Sequence, residues 1–231
     1  MTLSQIKINA IRLVGGLAVL DFLNTCDGRR PGTTLPAMVD PLSSLEDVIH
    51  WYLHAGLITS SEHEQFFDLT HNVSGHPLVA FQQLIGFREA LYRLLLPLAL
   101  GDRLDPSALA VLNAHVAQTA AERLLVPTGS GVVWRWRTCE SLESMTASLI
   151  GRVAVQAAAL LSGPDLARLK VCGAPDCDRL FIDVSKNGRR RWCQMNTCGS
   201  REKARRWVAS AGTDQWPENT LNAPCAADSN L

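Results

Sequence analysis

Two short loops carry paired cysteines: Cys172-Gly173-Ala174-Pro175-Asp176-Cys177 and, after fifteen further residues, Cys193-Gln194-Met195-Asn196-Thr197-Cys198. Zinc binds four soft ligands in a tetrahedron with Zn–S distances of about 2.3 Å, and two loops that each present two thiolates can supply them. A disulfide framework would need an oxidising compartment, and a redox-active pair would be separated by two residues instead of four. The spacing therefore predicts one structural zinc ion bound by Cys172, Cys177, Cys193 and Cys198.

The residues between the two loops predict a hairpin. Leu180-Phe181-Ile182 is typical of a strand, and Asn187-Gly188 is the preferred dipeptide of a two-residue hairpin turn. Residues 190–192 would then form the returning strand, which brings Asp183 diagonal to Arg190. We therefore expect Asp183 to be a structural partner of Arg190 and not an acid catalyst.

A helix is predicted after Cys198, because residues 202–206 are good helix formers and no helix breaker interrupts the segment. Its apolar stripe at i, i+3, i+4 and i+7 is expected to pack on the metal module and consists of Ala204, Trp207, Val208 and Ala211. A knuckle, a hairpin and a helix that bears the last ligand near its start follow one another in a treble-clef zinc finger. A module this small buries little surface, so the metal should supply most of its stability.

Charge is distributed unevenly along the chain. The sequence has 22 basic and 22 acidic residues, but residues 170–207 hold ten basic against four acidic ones, which leaves a net −6 on the remainder. Four thiolates and one Zn²⁺ together contribute about −2, so the module stays positive when the metal is bound. A basic module on an acidic body indicates a negatively charged partner. The cations expected to contact nucleic acid are Arg189, Arg191, Arg201, Lys203, Arg205 and Arg206.

The part of the chain before the finger has a mostly helical hydrophobic period. Residues 7–25 are the exception, because they are apolar and interrupted by Gly15-Gly16, which predicts a strand hairpin. A second hairpin is predicted around the turn at 127–131. Helices are predicted from residue 43, from residue 59 or 61, over 81–95 with an end or kink at Pro97, from Asp105 with Pro106 in the first turn, and over 142–160.

Composition and charge both shift at Gly163-Pro164, which we take as a domain boundary. The chain then divides into a mainly helical domain over residues 1–163, a zinc finger over 164–211 and a tail over 212–231. The tail is rich in Gly, Pro, Asn and Asp without periodicity, so it is predicted to be disordered. The predicted fold class is α+β: a mainly α-helical N-terminal domain with short β-hairpins, followed by a small treble-clef zinc finger.

Several motifs resemble a known pair of domains. The finger resembles the CGNR zinc finger, a C-terminal treble clef of bacterial proteins, through Cys172-Gly173-Ala174-Pro175-Asp176-Cys177, Phe181-Ile182-Asp183-x-Ser185, Arg190-Arg191-Trp192-Cys193-x-Met195 and Cys198-Gly199-Ser200-Arg201-x-Lys203. Upstream, Leu20-Asp21-Phe22-Leu23-Asn24-Thr25 resembles the signature of the ABATE domain, which precedes this finger in proteins described as stress-induced transcription regulators. The resemblance implies a zinc-binding transcription regulator. Ser200 stands where the family has Asn, and Asp178-Arg179 are more charged than expected, but neither change touches a ligand.

Two classes of binding function are open from the sequence. The finger is expected to bind DNA through its basic residues; RNA is the alternative, because Phe181 and Trp192 offer stacking surface. The N-terminal domain is expected to sense a small-molecule effector or a partner through Asp21 and Asn24, whose plainer interpretation is a turn and helix cap. A third possibility is that the finger is purely structural and serves protein interaction.

Other functions find little support in the sequence. We expect no enzyme, because there is no phosphate loop, nucleophile elbow or His-Glu metalloprotease pattern, and four thiolates leave zinc no open position. Charges such as Arg152 interrupt the apolar segments, so we expect no membrane span, and without a secretion signal we expect a cytoplasmic protein. His50 and His54 are interpreted as ordinary helix positions. The remaining cysteines are expected to be free thiols: Cys26, Cys139 and Cys225.

Overall fold

The protein is mainly helical, and its central helix spans Leu142–Ser162. The structure, a computed structural model, describes residues 3–30, 38–72 and 75–211. The α-helices are α1 (Leu3–Asn9), α2 (Ala18–Leu23), α3 (Leu45–His54), α4 (Ser60–Asn72), α5 (Pro77–Leu100), α6 (Pro106–Thr119), α7 (Leu142–Ser162) and α8 (Ser200–Ala211). The proposed tail at 212–231, with Cys225, lies outside the described residues.

The strands form two small antiparallel sheets. β1 (Arg123–Thr128) pairs with β2 (Gly131–Trp136), which confirms the predicted hairpin. β3 (Leu169–Val171) pairs with β4 (Leu180–Ile182), so the first cysteine loop connects these two strands. The α+β class is therefore confirmed: a helical body with short hairpins precedes a small four-cysteine module.

Local side-chain caps mark the starts of α3, α4, α6 and α7. The Ser44 hydroxyl accepts from the Asp47 main-chain N at 3.1 Å at the start of α3, and Thr59 and Glu62 cap each other's main chain before α4. Asp105 caps α6, which begins with a proline as predicted. α5 does not end at Pro97, one of the two predicted outcomes there, but continues to Leu100, where Gly101 follows as the C-cap in the left-handed conformation with φ of 84°.

The predicted strand hairpin over residues 7–25 is wrong, because the segment forms α1, an extended stretch and α2. Gly16 has a φ of 83° and turns the chain into α2. A Cβ on Gly15 would lie 2.7 Å from that of Leu20, and the Gly15 main-chain N donates to the Asp21 carboxylate at 2.7 Å. The glycine pair therefore marks a tight turn packed on α2, and the contact that fixes it involves a side chain six residues further along the chain.

The main core forms around α7, which packs against α2, α5 and α6. Met145, Leu149 and Val153 on α7 have no exposed surface. Aromatic side chains extend this core, since the Phe22 ring lies 5.2 Å from Trp51 and 5.7 Å from Tyr52 between centroids.

α7 is the one described helix long and apolar enough to cross a membrane, and it continues through Arg152 instead of being interrupted there. However, 61% of its most apolar stretch is buried inside the body. Arg152 is buried as well, and it pairs with Glu62 and donates to the Leu57 carbonyl. The apolar character of α7 is therefore accounted for by its position in the core.

Candidate metal centre and nucleic-acid interface

The four predicted ligands converge on one point. Their sulfur atoms all lie within 4.8 Å of one another, and all four residues are buried. Cys172 and Cys177 lie in the loop between β3 and β4, whereas Cys198 lies in a π-helical turn, Met195–Gly199, that leads into α8. Among the described residues, these cysteines are the single cluster of three or more groups that fits a metal ion.

The sulfur separations fit a tetrahedral zinc site. The Cys177 and Cys193 sulfurs are 3.8 Å apart, and those of Cys193 and Cys198 are 3.6 Å apart. Tetrahedral Zn–S bonds of about 2.3 Å place neighbouring sulfurs ~3.8 Å apart, whereas a disulfide requires about 2.05 Å. The four residues therefore fit one structural Zn²⁺, for which they would supply the complete ligand set.

A main-chain N–H and an arginine side chain donate hydrogen bonds to two of the ligand sulfurs. The Cys193 main-chain N donates to the Cys172 sulfur at 3.4 Å, and the Arg201 guanidinium donates to the Cys198 sulfur at 3.3 Å. Such donors offset part of the negative charge that four thiolates place around one dication. Arg201 thus acts at the centre itself.

Asp183 organises the turn between the two cysteine loops. Its carboxylate accepts from the Lys170 ammonium at 2.6 Å, from the Arg190 main-chain N at 2.9 Å and from the Ser185 hydroxyl at 2.6 Å. The Lys170 ammonium, followed by the Ser185 hydroxyl, holds the pKa of that carboxyl well below its usual range. The predicted structural role is confirmed, although the ion pair is made by Lys170 and not by the Arg190 side chain.

The predicted returning strand at 190–192 does not form, because β4 pairs with β3 instead. Gly188 does adopt the left-handed conformation of a turn, with φ of 61°. The Arg190 guanidinium lies 4.3 Å from the centroid of the Phe181 ring and donates to the Trp192 and Cys193 carbonyls. A side chain therefore supports this segment where a strand ladder was expected.

The second edge of β4 is held by the body. The Asn24 amide donates to the Leu180 carbonyl at 2.8 Å, and its oxygen accepts from the Leu180 main-chain N at 2.8 Å. The Ile182 main-chain N donates to the Gly15 carbonyl at 2.8 Å. Asn24 thus takes the place of a neighbouring strand, and Asp21 fixes the Gly15 turn beside it. Burial raises the pKa of Asp21, and the Gly15 N–H opposes that shift. Both side chains have structural roles, and ligand binding by them stays a prediction.

The two charged residues after Cys177 also tie the finger to the body. The Arg179 guanidinium makes a two-pronged pair with Asp27 at 3.0 and 3.1 Å, and the Asp178 carboxylate accepts from the Arg29 main-chain N at 2.8 Å. These contacts explain why charged residues are tolerated where the motif led us to expect less charge.

The six cations expected to contact nucleic acid fall into two groups. Asp176 in the first cysteine loop pairs with Arg201 at 3.0 Å and with Arg205 at 2.8 Å. We call this three-residue contact the Asp176 clamp. The second group is exposed and forms no ion pair with the described residues; it consists of Arg189, Arg191, Lys203 and Arg206. Lys186 is also exposed in the same turn, and sequence reasoning missed it although its charge and position were visible.

The predicted packing of the α8 apolar stripe on the metal module is wrong. Trp207 is 72% exposed and Val208 63% exposed, and the described contacts of α8 are made chiefly with the π-helical turn. The helix is therefore anchored at its first turn and projects from the finger, which keeps Lys203 and Arg206 accessible.

A cavity of about 500 Å³ lies where the finger meets the body. Its walls combine polar side chains from both parts: Arg12, Asn24 and Asp27 from the body, and Asp176, Arg179 and Arg201 from the finger. The cavity is thus lined by both members of the Arg179–Asp27 pair and by Asp176 and Arg201 of the clamp.

The other predicted features have simple outcomes. Cys26 and Cys139 are free and buried, and burial raises the pKa of the Cys26 thiol to about 11. His54 hydrogen-bonds the Ile11 carbonyl at 2.8 Å, whereas His50 faces His63 at 2.7 Å between ring nitrogens. His50 and His54 thus have separate partners.

Comparison with known proteins matches two family models to the chain in series. The ABATE model, described as "Putative stress-induced transcription regulator", matches residues 16–164, and the CGNR zinc finger model matches residues 168–210. A search of curated proteins finds no match. The first match covers more than half of the chain, and the second contains all four cysteine ligands.

Proposed function

The chain belongs to the ABATE family and carries a C-terminal CGNR zinc finger, and we propose that it binds DNA through this finger to regulate transcription. The observation that carries the proposal is the set of exposed cations without a carboxylate partner among the described residues. They occupy the turn before Trp192 and the projecting helix α8. Both segments adjoin the cysteine cluster, so a bound zinc ion would hold them in a fixed relation.

Electrostatics favours a polyanion as the partner. Residues 170–207 carry six more basic than acidic residues, and the Asp176 clamp neutralises only part of that excess. Phosphate contacts by Lys and Arg supply most of the affinity of nonspecific DNA binding. The second group of cations is suited to phosphate contacts because these residues need not break an ion pair first.

The shape of α8 favours duplex DNA over an extended single strand. A helix that projects beyond its own module can enter the major groove, where base edges are read. Trp192 is only partly exposed and Phe181 is fully buried, so the two side chains expected to stack on single-stranded RNA offer little surface, although Trp207 on α8 is exposed. RNA binding is accordingly the second outcome that a test must measure.

The test is a titration of the full zinc-loaded chain with labelled duplex DNA at several salt concentrations. We expect the double variant Lys203→Ala, Arg206→Ala to bind more weakly and to reduce the slope of log K against log[salt] by about 2, because each lost phosphate contact removes ~0.9. A matched control is Arg93→Ala, Arg103→Ala, which removes two exposed arginines from the helical body.

Undiminished DNA binding by the finger variant, with zinc retained, would contradict the proposal and favour a finger that is purely structural. Equal losses in the finger and control variants would indicate a general charge effect instead. A single-stranded RNA competitor that displaces the duplex at equal concentration would move the assignment to RNA.

The body is proposed to act as the sensor, and the junction cavity supports this role. A small molecule in the cavity would contact residues of both domains and could change how the finger is held. Breaking the Arg179–Asp27 pair with Asp27→Ala should therefore alter DNA affinity while zinc stays bound. Unchanged affinity would separate the body from the finger and contradict the sensor role.

We propose no catalytic role for the finger. Four thiolates complete the tetrahedral coordination of zinc and leave no position for a substrate, so the metal would be structural. A DNA-binding regulator of this kind is expected in the cytoplasm of a bacterium.

A further inference from the structure

The β1–β2 hairpin exposes an unusual amount of apolar surface. Leu125 and Trp134 are each 56% exposed and Val132 is 63% exposed. Contiguous exposed apolar patches on a folded domain mark interaction sites, and an isolated two-stranded hairpin is only marginally stable. The hairpin therefore presents a surface that a partner would cover.

The hydrogen-bond pattern shows which main-chain groups of the hairpin are free. The Arg137 main-chain N donates to the Glu122 carbonyl at 2.9 Å, just beyond the paired strands, so 122 and 137 are a hydrogen-bonded pair. In an antiparallel ladder such pairs alternate with pairs whose N–H and C=O groups point outward. The outward-pointing residues are Arg123, Leu125 and Pro127 on β1, and Val132, Trp134 and Trp136 on β2.

The two edges of the hairpin differ. β1 places Pro127 at an outward position, and proline has no N–H to offer a neighbouring strand, which is a common way to block an edge. β2 keeps the outward N–H and C=O groups of Val132 and Trp134. Trp136 packs toward the body, since its ring lies 4.8 Å from the Arg152 guanidinium carbon. The open edge is therefore the β2 segment around Val133.

We propose that β2 pairs with β2 of a second copy of this chain, antiparallel and about a two-fold axis at Val133. In this register Val132 lies opposite Trp134 of the partner subunit, and each such pair exchanges two main-chain hydrogen bonds. Val133 faces Val133 of the partner subunit on the other side of the sheet. The result is a four-stranded antiparallel sheet made of two hairpins.

Apolar side chains match across all four strands in this arrangement. Leu125 is opposite Trp134 and Pro127 is opposite Val132 within one hairpin. Two-fold pairing adds Val132 of the partner subunit next to Trp134, so an apolar row crosses the whole sheet. A second copy is the occupant that supplies this match without any further assumption, because a two-fold interface uses the same patch on both sides.

Charge does not oppose the pairing. Arg135 is the one charged residue within β2, and the register places it opposite Gly131 of the partner subunit. The two copies of Arg135 are then four residues apart along the strand direction, or ~13 Å, which exceeds the Debye length of about 8 Å at physiological salt. Like-charge repulsion across the axis is therefore screened.

The experiment measures the molar mass of the full zinc-loaded chain by sedimentation over a range of concentrations. We expect a dimer of twice 25.2 kDa. Val132→Pro removes an outward N–H and places a ring at the open edge, so this variant should be monomeric. Arg135→Ala is the matched control: it changes an exposed β2 side chain outside the apolar row and leaves main-chain groups that already pair with β1, so it should remain dimeric.

A second variant keeps the proposal testable if proline disturbs the hairpin. Val133→Cys places two thiols at a non-hydrogen-bonded antiparallel pair, where Cα atoms lie about 4.5 Å apart and a disulfide can form. Mild oxidation should therefore crosslink Val133→Cys, whereas Leu124→Cys on β1 should stay uncrosslinked. A wild-type chain that is monomeric at all concentrations, or a dimer that survives Val132→Pro and fails to crosslink, would overturn the proposal.

Discussion

The helical body and the cysteine finger reach a buried interior in different ways. The body buries a continuous cluster of aliphatic and aromatic side chains around α7. A second cluster of seven buried residues forms in the finger: four are the cysteines themselves, and one, Val14, comes from the body. Apolar packing therefore provides most of the stability of the body, whereas the finger depends on what its cysteines bind.

The two interiors meet at strand β4. β4 sends Leu180 and Ile182 into the main core, but Phe181 into the finger cluster, so alternate residues of one three-residue strand serve both. Asn24 and Gly15 hold its second edge. The finger is thus built on the body at a specific strand, and the comparison predicts that the two parts respond differently to metal loss and core damage.

Removal of the metal should have the largest effect, and this effect should be confined to the finger. We expect Cys193→Ser, Cys198→Ser to abolish the stoichiometric zinc found in the wild type, because apparent binding energies of about 10–16 kcal/mol stabilise such sites. Amide hydrogen exchange should show lost protection from the first cysteine loop through α8, while far-UV circular dichroism retains most of the helical signal of the body.

Cys139→Ser is the matched control for the metal prediction, because it alters a buried cysteine that is not a ligand. Its zinc content should equal that of the wild type. Full zinc occupancy in the double serine variant would show that the metal is bound elsewhere.

Damage to the main core should lower global stability without releasing zinc. Leu149 on α7 has no exposed surface, so Leu149→Ala should reduce the free energy of unfolding by about 2–5 kcal/mol. Denaturant melts measure the loss, and Val111→Ala on the exposed side of α6 should change stability little. Zinc loss from folded Leu149→Ala protein would mean that the two interiors are a single cooperative unit.

The sequence predicted best where a local pattern determines the structure. The four cysteines specify the metal site by spacing alone, and Thr59 with Glu62 and Asp105 with Pro106 specify helix starts by chemistry within one turn. The pattern of residues 124–136 was likewise sufficient for a hairpin. In each case the groups that interact lie close together along the chain.

Prediction from the sequence failed where a residue far away along the chain determines the local structure. Gly15-Gly16 has the composition of a hairpin turn, but the Asp21 carboxylate and β4 make it a docking point for the finger. The partner of β4 was assigned to residues 190–192, whereas the chain before Cys172 supplies it. The α8 stripe has the spacing of a packed face, yet nothing in the described structure covers Trp207. Periodicity predicts that a helix face is apolar, but it does not predict which element packs against that face.

Loss of the Asn24 bridge should have an intermediate effect at the junction itself. Asn24→Ala leaves the Leu180 N–H and C=O without their partner, and an unsatisfied buried polar group costs about 1–3 kcal/mol. Asn24→Asp keeps an acceptor for the Leu180 N–H but loses the donor to its carbonyl, and it adds a buried charge.

Exchange protection of the Leu180 amide reports this contact directly. We expect protection to fall in Asn24→Ala, with the α7 amides less affected. Asn196→Ala, which removes an exposed amide from the second cysteine loop, is the control and should leave Leu180 protected. Equal protection in Asn24→Ala and wild type would mean that the β3 pairing alone holds β4.

The Asp176 clamp should contribute least to stability, and its removal sharpens the distinction between the two groups of cations. Exposed ion pairs are worth about 0–1 kcal/mol, and Arg201 and Arg205 are 46% and 43% exposed, so Asp176→Ala should retain zinc and nearly all stability.

The effect of Asp176→Ala should appear in DNA binding instead. Arg201 then loses its carboxylate partner, whereas Arg205 keeps its ion pair with Glu202, so the salt slope should steepen by up to about 1 if Arg201 then contacts a phosphate. Asp176→Asn keeps hydrogen-bond acceptors without the charge and should show the same steepening. Zinc release by both variants would instead place Asp176 among the groups that hold the metal loop, and the clamp would belong to the finger interior.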